Sequence, residues 1–311
     1  RSRPRSRRSR ARAPPSRAIA SSRRAIASSR PSPRVAVARA RRGAPSRRVA
    51  RPHSSSSALD DDAMAPIARV AVLFAMDAEA RPLIDALGLT LDADAFARVG
   101  GDVPMRVYSG TLKSGARVDV VCAGSCARHN VCNVGTVGAA LSTYETCATL
   151  RPDVIVNAGT AGGFAKRGGE VGDVYVATKF KNHDRRIPIP GYDKYGVGEY
   201  DAWPTPRLIE ALGCKTGVVC TGNSLDATET CRALLDEFEC SVKEMEAAAI
   251  AHVAHLFNVP VIAVKTITDI VDGPQATEEE FLRNLSSAAD ALRDVVPRVV
   301  EFLDGKSVDE L

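Results

Sequence analysis

From residue 65 onward, short apolar runs alternate with longer stretches in which apolar and polar positions mix. Five runs stand out: 70–75 (VAVLFA), 118–122 (VDVVC), 154–158 (VIVNA), 174–177 (VYVA) and 261–266 (VIAVKT). They are rich in Val and Ile and lack the strict alternation of a half-exposed strand, so they suit strands covered on both faces. Between them the spacing predicts helices over 78–87, 133–148 and 246–257. Strands alternating with helices predict an α/β fold, three-layer α/β/α with a mixed, largely parallel central sheet. Near the C-terminus Phe281, Leu285, Ala288, Leu292, Val295, Val299 and Leu303 form one apolar stripe at helical spacing. Thr277 and Glu280 read as the capping box of that helix, and Pro297 is expected to kink it or split it in two.

Before residue 65 the pattern disappears. Residues 1–59 hold no Asp, Glu or Lys, yet carry 18 of the 42 Lys and Arg of the chain. The remainder has 24 basic against 37 acidic residues, a balance of 24 − 37 = −13, so the overall +5 averages two unlike pieces. The expected division is therefore 1–64, a disordered Arg/Ser-rich segment, and 65–311, the folded domain. Three readings account for the basic segment. An organellar transit peptide fits its Arg and Ser and its lack of acids. A nucleic-acid-binding tail fits the charge but has no interleaved aromatics. A start at Met64, which opens directly into the first strand, would place 1–63 outside the protein altogether. The first reading implies a plastid or mitochondrion, the third a cytoplasmic protein. The acidic body itself implies no nucleic-acid partner.

Eight cysteines are present, at 122, 126, 132, 147, 214, 220, 231 and 240. They form no CxxC pair and have no His at zinc-finger spacing, so buried, reduced thiols are expected rather than metal ligands. No apolar run approaches the roughly 18 residues of a membrane span.

Chemistry in an open α/β sheet gathers beyond the carboxyl ends of the strands. Three of the runs lead into MDAE (76–79), GTAGG (159–163) and ITD (267–269), and KEME (243–246) opens directly onto a helical segment. NAGTAGG departs from the dinucleotide fingerprint, which needs G-x-G-x-x-G opening a helix. A tight turn with backbone amides facing a ligand is the better expectation for it.

These pieces occur in order: AMDAE, NAGTAGGF, HDRRIPIP, TGNSLD, KEMEAAAIAHVA and TITDIVDG. Together they resemble the methylthioadenosine nucleosidases, plant type, within the purine nucleoside phosphorylase and nucleosidase superfamily. The resemblance implies hydrolysis of the N-glycosidic bond of 5′-methylthioadenosine to adenine and 5-methylthioribose, a step of L-methionine salvage. It implies no cofactor and no metal, water as second substrate, and a homodimer. Catalytic residues would be Glu79 (general base) and Asp269 (general acid). The substrate would be held by Thr160, Leu225, Lys243, Glu244, Met245 and Glu246, the last gripping the ribose. Lys265 stands either near the attacking water or as a strand-end lysine reaching solvent. S-adenosylhomocysteine depends on space beyond the 5′ sulfur, which sequence does not describe.

The residue types suit that chemistry. Cleaving C1′–N9 leaves positive charge on the sugar and negative charge on the purine. Protonating the purine at N7 is worth about 10²–10⁴-fold, provided Asp269 holds a proton; burial and a neighbouring carboxylate such as Asp272 would favour that. Glu79 in a first helical turn is expected to be ionised by the helix dipole. A phosphorylase of the same fold would need a cluster of cations for phosphate, with Arg128 and Lys265 the obvious candidates. A non-catalytic storage protein of the same fold would be free to lose the carboxylates.

Overall fold

The computed structural model describes residues 65–97 and 103–311, and the expectations for 1–64 lie outside them. The first strand, β1 (Arg69–Phe74), runs into α1 (Asp77–Ala86). An antiparallel meander follows: β2 (Thr90–Leu91), β3 (Arg106–Thr111) and β4 (Arg117–Cys122). A separate hairpin, β5 (Ser125–Cys126) with β6 (Val131–Cys132), precedes α2 (Thr136–Glu145). Then come β7 (Val154–Gly163), β8 (Val174–Asn182), α3 (Tyr192–Val197), β9 (Tyr200–Asp201) and α4 (Pro206–Leu212). The chain finishes with β10 (Lys215–Thr221), α5 (Glu229–Glu237), β11 (Cys240–Glu244), α6 (Ala247–Phe257), β12 (Val261–Ile270) and α7 (Thr277–Leu303).

The mixed sheet runs β11-β10-β8-β12-β7-β1-β4-β3-β2, with β9 beside β8. Its middle, β4-β1-β7-β12, is parallel, and β8 meets β12 antiparallel. β11 also returns to β7, through Val242↔Gly163 and Lys243↔Gly162. Strands β7, β12, β8, β10 and β11 thus form a closed ring of pairings, which leaves their carboxyl ends no open edge.

β1 shows why the apolar runs lack alternation. Val70, Val72 and Phe74 pack with Leu83 of α1 and with Leu292, Val296 and Val299 of α7. Ala71 and Leu73 face the other way, into a cluster with Ala139 of α2 and Ile250 of α6. With a helical layer on each face, both sets of side chains must be apolar.

Several expectations change. NAGTAGG is not a turn but the carboxyl-terminal half of β7, and β8 and β12 likewise extend well past their apolar runs. β3, β10 and β11 were not signalled by apolar runs, because polar side chains interrupt RVYSGT, KTGVVCT and CSVKE. α7 passes through Pro297 as one helix rather than two, and no capping box starts it. All eight cysteines are free, with Cys122, Cys147, Cys220, Cys231 and Cys240 buried. Burial pushes the Cys122 and Cys147 thiols up to about 12, away from thiolate reactivity. Among the described residues no helix is long and apolar enough to cross a membrane.

Candidate active site

Glu79 is only 3% exposed although it lies in the first turn of a helix. Its Oε1 accepts from both the main-chain N–H and the hydroxyl of Thr160, each at 2.7 Å, and its Oε2 accepts from the Met76 N–H at 3.3 Å. The glycines of β7 leave it room: a Cβ on Gly159 would stand 3.3 Å from Oε1. Burial raises the Glu79 pKa, against the pull of Thr160, Lys265 and Met76. Burial thus works against the ionised form that the helix dipole favours.

Glu244 is neither solvated nor open to a ligand. Its Oε2 accepts from Lys265 Nζ at 2.9 Å, and it also accepts from the Thr221 hydroxyl and from the N–H groups of Glu246 (3.0 Å) and Ala247 (2.8 Å). Burial alone would raise its pKa, but Lys265 and Thr221 outweigh that and hold it low. Lys265 is fully buried, so its alternative reading as a solvent-reaching lysine is corrected. This ion pair pins the start of α6, where Glu246 follows. Glu246 Oε1 accepts from the Gly135 N–H at 2.7 Å, and burial together with the Glu244 charge raises its pKa to about 7. Met245 is half-buried between the two glutamates.

Asp269 is 2% exposed at the end of β12. The Thr268 hydroxyl lies 2.7 Å from its Oδ1. Gly162 lies against the carboxyl group; a Cβ there would come within 2.7 Å of Oδ2. Burial raises the Asp269 pKa, Thr268 and Lys243 oppose that, and Glu280 adds to it. The contributing carboxylate is Glu280 rather than Asp272, whose oxygens accept from the Ala165 and Lys166 N–H groups at 2.7 and 3.2 Å.

A loop over 222–226 closes one side. Lys243 Nζ donates to the carbonyls of Ser224 (2.9 Å) and Leu225 (2.8 Å), so this lysine shapes the loop through its main chain. Leu225 itself is exposed. Asn223 accepts from the Thr136 N–H and hydroxyl at 3.1 and 2.8 Å, which ties the loop to the start of α2. His183, given no role by the sequence, is buried beneath Gly222, where a Cβ would collide with its ring. Burial and Lys243 lower its pKa to about 4, so it is neutral. Nothing local in HDRRIPIP marks that position; only the packing against Gly222 does.

The meeting point is β7. Glu79 is fixed on Thr160, while Asp269 and Lys243 both stand opposite Gly162, two residues further, about 7 Å along a strand. The Lys265 charge reaches Glu79, Glu244 and Glu246 together. Thr160, Lys243, Glu244, Met245, Glu246 and both catalytic candidates are thus gathered at one end of the sheet, with Leu225 on its rim. Arg128 is exposed on the turn between β5 and β6. A cavity of about 280 Å³ lies elsewhere, between Leu87, Leu112, Pro297 and Val300, and contains none of these groups.

Such an arrangement can deliver a proton, accept one, and hold a cation between buried carboxylates. Residues 69–301 match the family model of the phosphorylase superfamily. The chain is 42% identical over 246 residues to a 5′-methylthioadenosine nucleosidase of Arabidopsis thaliana, covering 79% of this chain and 91% of that protein. It is 40% identical over 247 residues to a 5′-methylthioadenosine/S-adenosylhomocysteine nucleosidase of the same plant, covering 79% and 96%. The apo structure of the Arabidopsis thaliana 5′-methylthioadenosine nucleosidase superposes with a TM-score of 0.77 at 41% identity, covering 79% of this chain and all of that one.

Proposed function

The chain belongs to the phosphorylase superfamily and, within it, to the 5′-methylthioadenosine nucleosidases, and from that premise we propose that it hydrolyses 5′-methylthioadenosine to adenine and 5-methylthioribose, with Asp269 as acid and Glu79 as base. The observation that carries the roles is the pair of buried carboxyl groups standing two residues apart along β7, both with raised pKa.

In this mechanism the C1′–N9 bond breaks, its electrons pass into the purine, and the Asp269 proton goes to N7. Water attacks C1′ and gives its proton to Glu79. A base whose pKa lies nearer neutrality takes that proton more readily than an ordinary carboxylate. Glu246, held by the Gly135 N–H, accepts from the ribose hydroxyls and places negative charge by the sugar cation. Thr160 keeps Glu79 aimed at the water, and Lys243 holds the loop whose main chain reads the purine. Met245 and Leu225 supply apolar walls, and Glu244 with Lys265 holds Glu246 in place. Phosphorolysis is disfavoured on electrostatic grounds: Lys265 is committed to Glu244, Lys243 to two carbonyls, and the buried Glu79 would repel a phosphate.

A second copy of the chain completes the proposal. Val137, Leu141 and Tyr144 lie on one stripe of α2, 73%, 58% and 53% exposed, beside exposed Val134 and Leu256. An apolar stripe of this kind fits a symmetric dimer contact. Leu141→Asp should halve the mass seen by light scattering, and a wild-type chain that is already monomeric would remove the dimer.

The function is tested by adenine release from 5′-methylthioadenosine in phosphate-free buffer. Turnover that requires phosphate and forms a sugar phosphate would replace hydrolysis by phosphorolysis, and no turnover from folded protein would favour the storage reading. S-adenosylhomocysteine in the same assay measures the space beyond the 5′ sulfur.

A further inference from the structure

Thr277 and Glu280 carry the sequence signature of a capping box, yet Ala276 is the N-cap of α7 and no side chain caps it. The Glu280 carboxylate is engaged elsewhere: its Oε2 accepts from the Ile270 N–H at 2.9 Å. One turn further along α7, Asn284 Nδ2 donates to the Thr268 carbonyl at 2.8 Å. These two main-chain groups flank Asp269 on either side, and residues four apart on a helix share one face.

The strand itself explains why those groups need partners. Along β7, Ala161 stands opposite Ile267 and Gly162 opposite Asp269, so Thr268 is an extra residue in β12. An irregularity of this kind interrupts the ladder and re-aims the neighbouring side chain. At this place the side chain re-aimed is Asp269, which lies against Gly162. Buried peptide groups need partners, and at this irregularity α7 supplies them to the Thr268 carbonyl and the Ile270 N–H.

We propose that Glu280 and Asn284 are positioning residues for the general acid: by gripping the peptide groups on both sides of Asp269, α7 holds the bulge that aims its carboxyl group at the leaving purine. The inference rests on Asp269 being that acid. The groups facing Asp269 are the Thr268 hydroxyl on its own strand, Lys243 from β11 and Glu280 from α7. Glu280 therefore has two separable effects, a hydrogen bond to the main chain and a negative charge beside the acid.

Variants of the full chain separate them. Glu280→Ala and Asn284→Ala each release one side of the bulge, and kcat on 5′-methylthioadenosine should fall about 10–100-fold with little change in KM. The same variants should keep wild-type kcat on a 5-methylthioriboside of nitrophenol, whose leaving group departs without a proton. Glu280→Gln retains an acceptor for the Ile270 N–H, so its kcat at low pH should stay near wild type. Its alkaline limb should move to lower pH, because removing a negative neighbour makes Asp269 lose its proton earlier. Equal losses on both substrates, or alanine variants with wild-type kcat, would overturn the proposal. Should the alanine variants fail to fold, Asn284→Asp, which keeps the side-chain shape but loses the donor to the Thr268 carbonyl, carries the test: unimpaired kcat on 5′-methylthioadenosine in that variant overturns the proposal. Asp269→Asn is the control: if it is fully active, the acid assignment itself falls, a different result from an inactive Asp269→Asn beside unimpaired Glu280 and Asn284 variants.

Discussion

Glu79 and Asp269 are both buried carboxyl groups with raised pKa, but they are supported by unlike means. Glu79 sits in the first helical turn after β1 and is gripped by one residue of the neighbouring strand, Thr160, through its N–H and its hydroxyl. Asp269 sits on an irregular strand end, with a glycine against its carboxyl group and helix α7 on its flanking peptides. The proposed base is held by regular structure and the proposed acid by a break in it. The acid should therefore be the more sensitive to changes made at a distance.

Removing either carboxylate tests whether the two are equal in chemistry. Glu79→Gln and Asp269→Asn should each lose at least about 100-fold in kcat with unchanged thermal unfolding, the size of a lost proton-transfer group. Near-normal turnover in either variant would remove its role. Lys265→Met probes the foundation under the whole site. It leaves the Glu244 charge buried without its partner, so urea unfolding should show a loss of about 3–5 kcal/mol. The sign with pH follows. The folded-state pKa of Glu244 lies below 4.5, so the pair's contribution is present above pH 4.5 and is lost as pH falls through the folded value. A Lys265→Met protein as stable as wild type would make the pair dispensable.

The two glycines of β7 compare the sides directly. A Cβ on Gly162 would meet Asp269 Oδ2 at 2.7 Å and Val271 Cγ2 at 2.6 Å, whereas one on Gly159 would meet Glu79 Oε1 at 3.3 Å. Gly162→Ala should therefore lower kcat by about tenfold or more, and Gly159→Ala by less. The reverse order would contradict the view that the acid is the more delicately placed. The smallest effect is a displaced pH limb. On the proposed roles activity needs Glu79 ionised and Asp269 protonated, so Glu79 sets the acid limb of kcat and Asp269 the alkaline limb. Lys243 lowers the Asp269 pKa. Lys243→Met should move the alkaline limb to higher pH and leave the acid limb in place, and movement of both limbs would show that the two carboxyl groups are not set independently.

Much of the scaffold was legible. The runs of β1, β4, β7, β8 and β12 and the stripe of α7 are local patterns, because burial on both faces or on one face imposes a periodicity on neighbouring positions. β10 and β11 escaped, since a strand with polar residues needs only a partner on each side, which no short window reveals. The acidic residues were legible from MDAE, KEME and ITD, but only with the aid of the family resemblance, as a Glu in a first helical turn is otherwise commonplace.

Sequence by itself determined the apolar strands at the middle of the sheet, the stripe of α7 and which carboxylates stand at strand ends, because those properties follow from near neighbours. Tertiary structure alone decided that GTAGG extends a strand to make room for two carboxyl groups, that Glu244 is a buried partner of Lys265, and that Glu280 accepts from the Ile270 N–H instead of capping its own helix. Each depends on groups remote in the chain, such as Glu79 and Thr160, 81 residues apart. Whether a carboxylate caps, pairs or reacts is set by which remote groups desolvate it and which donors remain within reach.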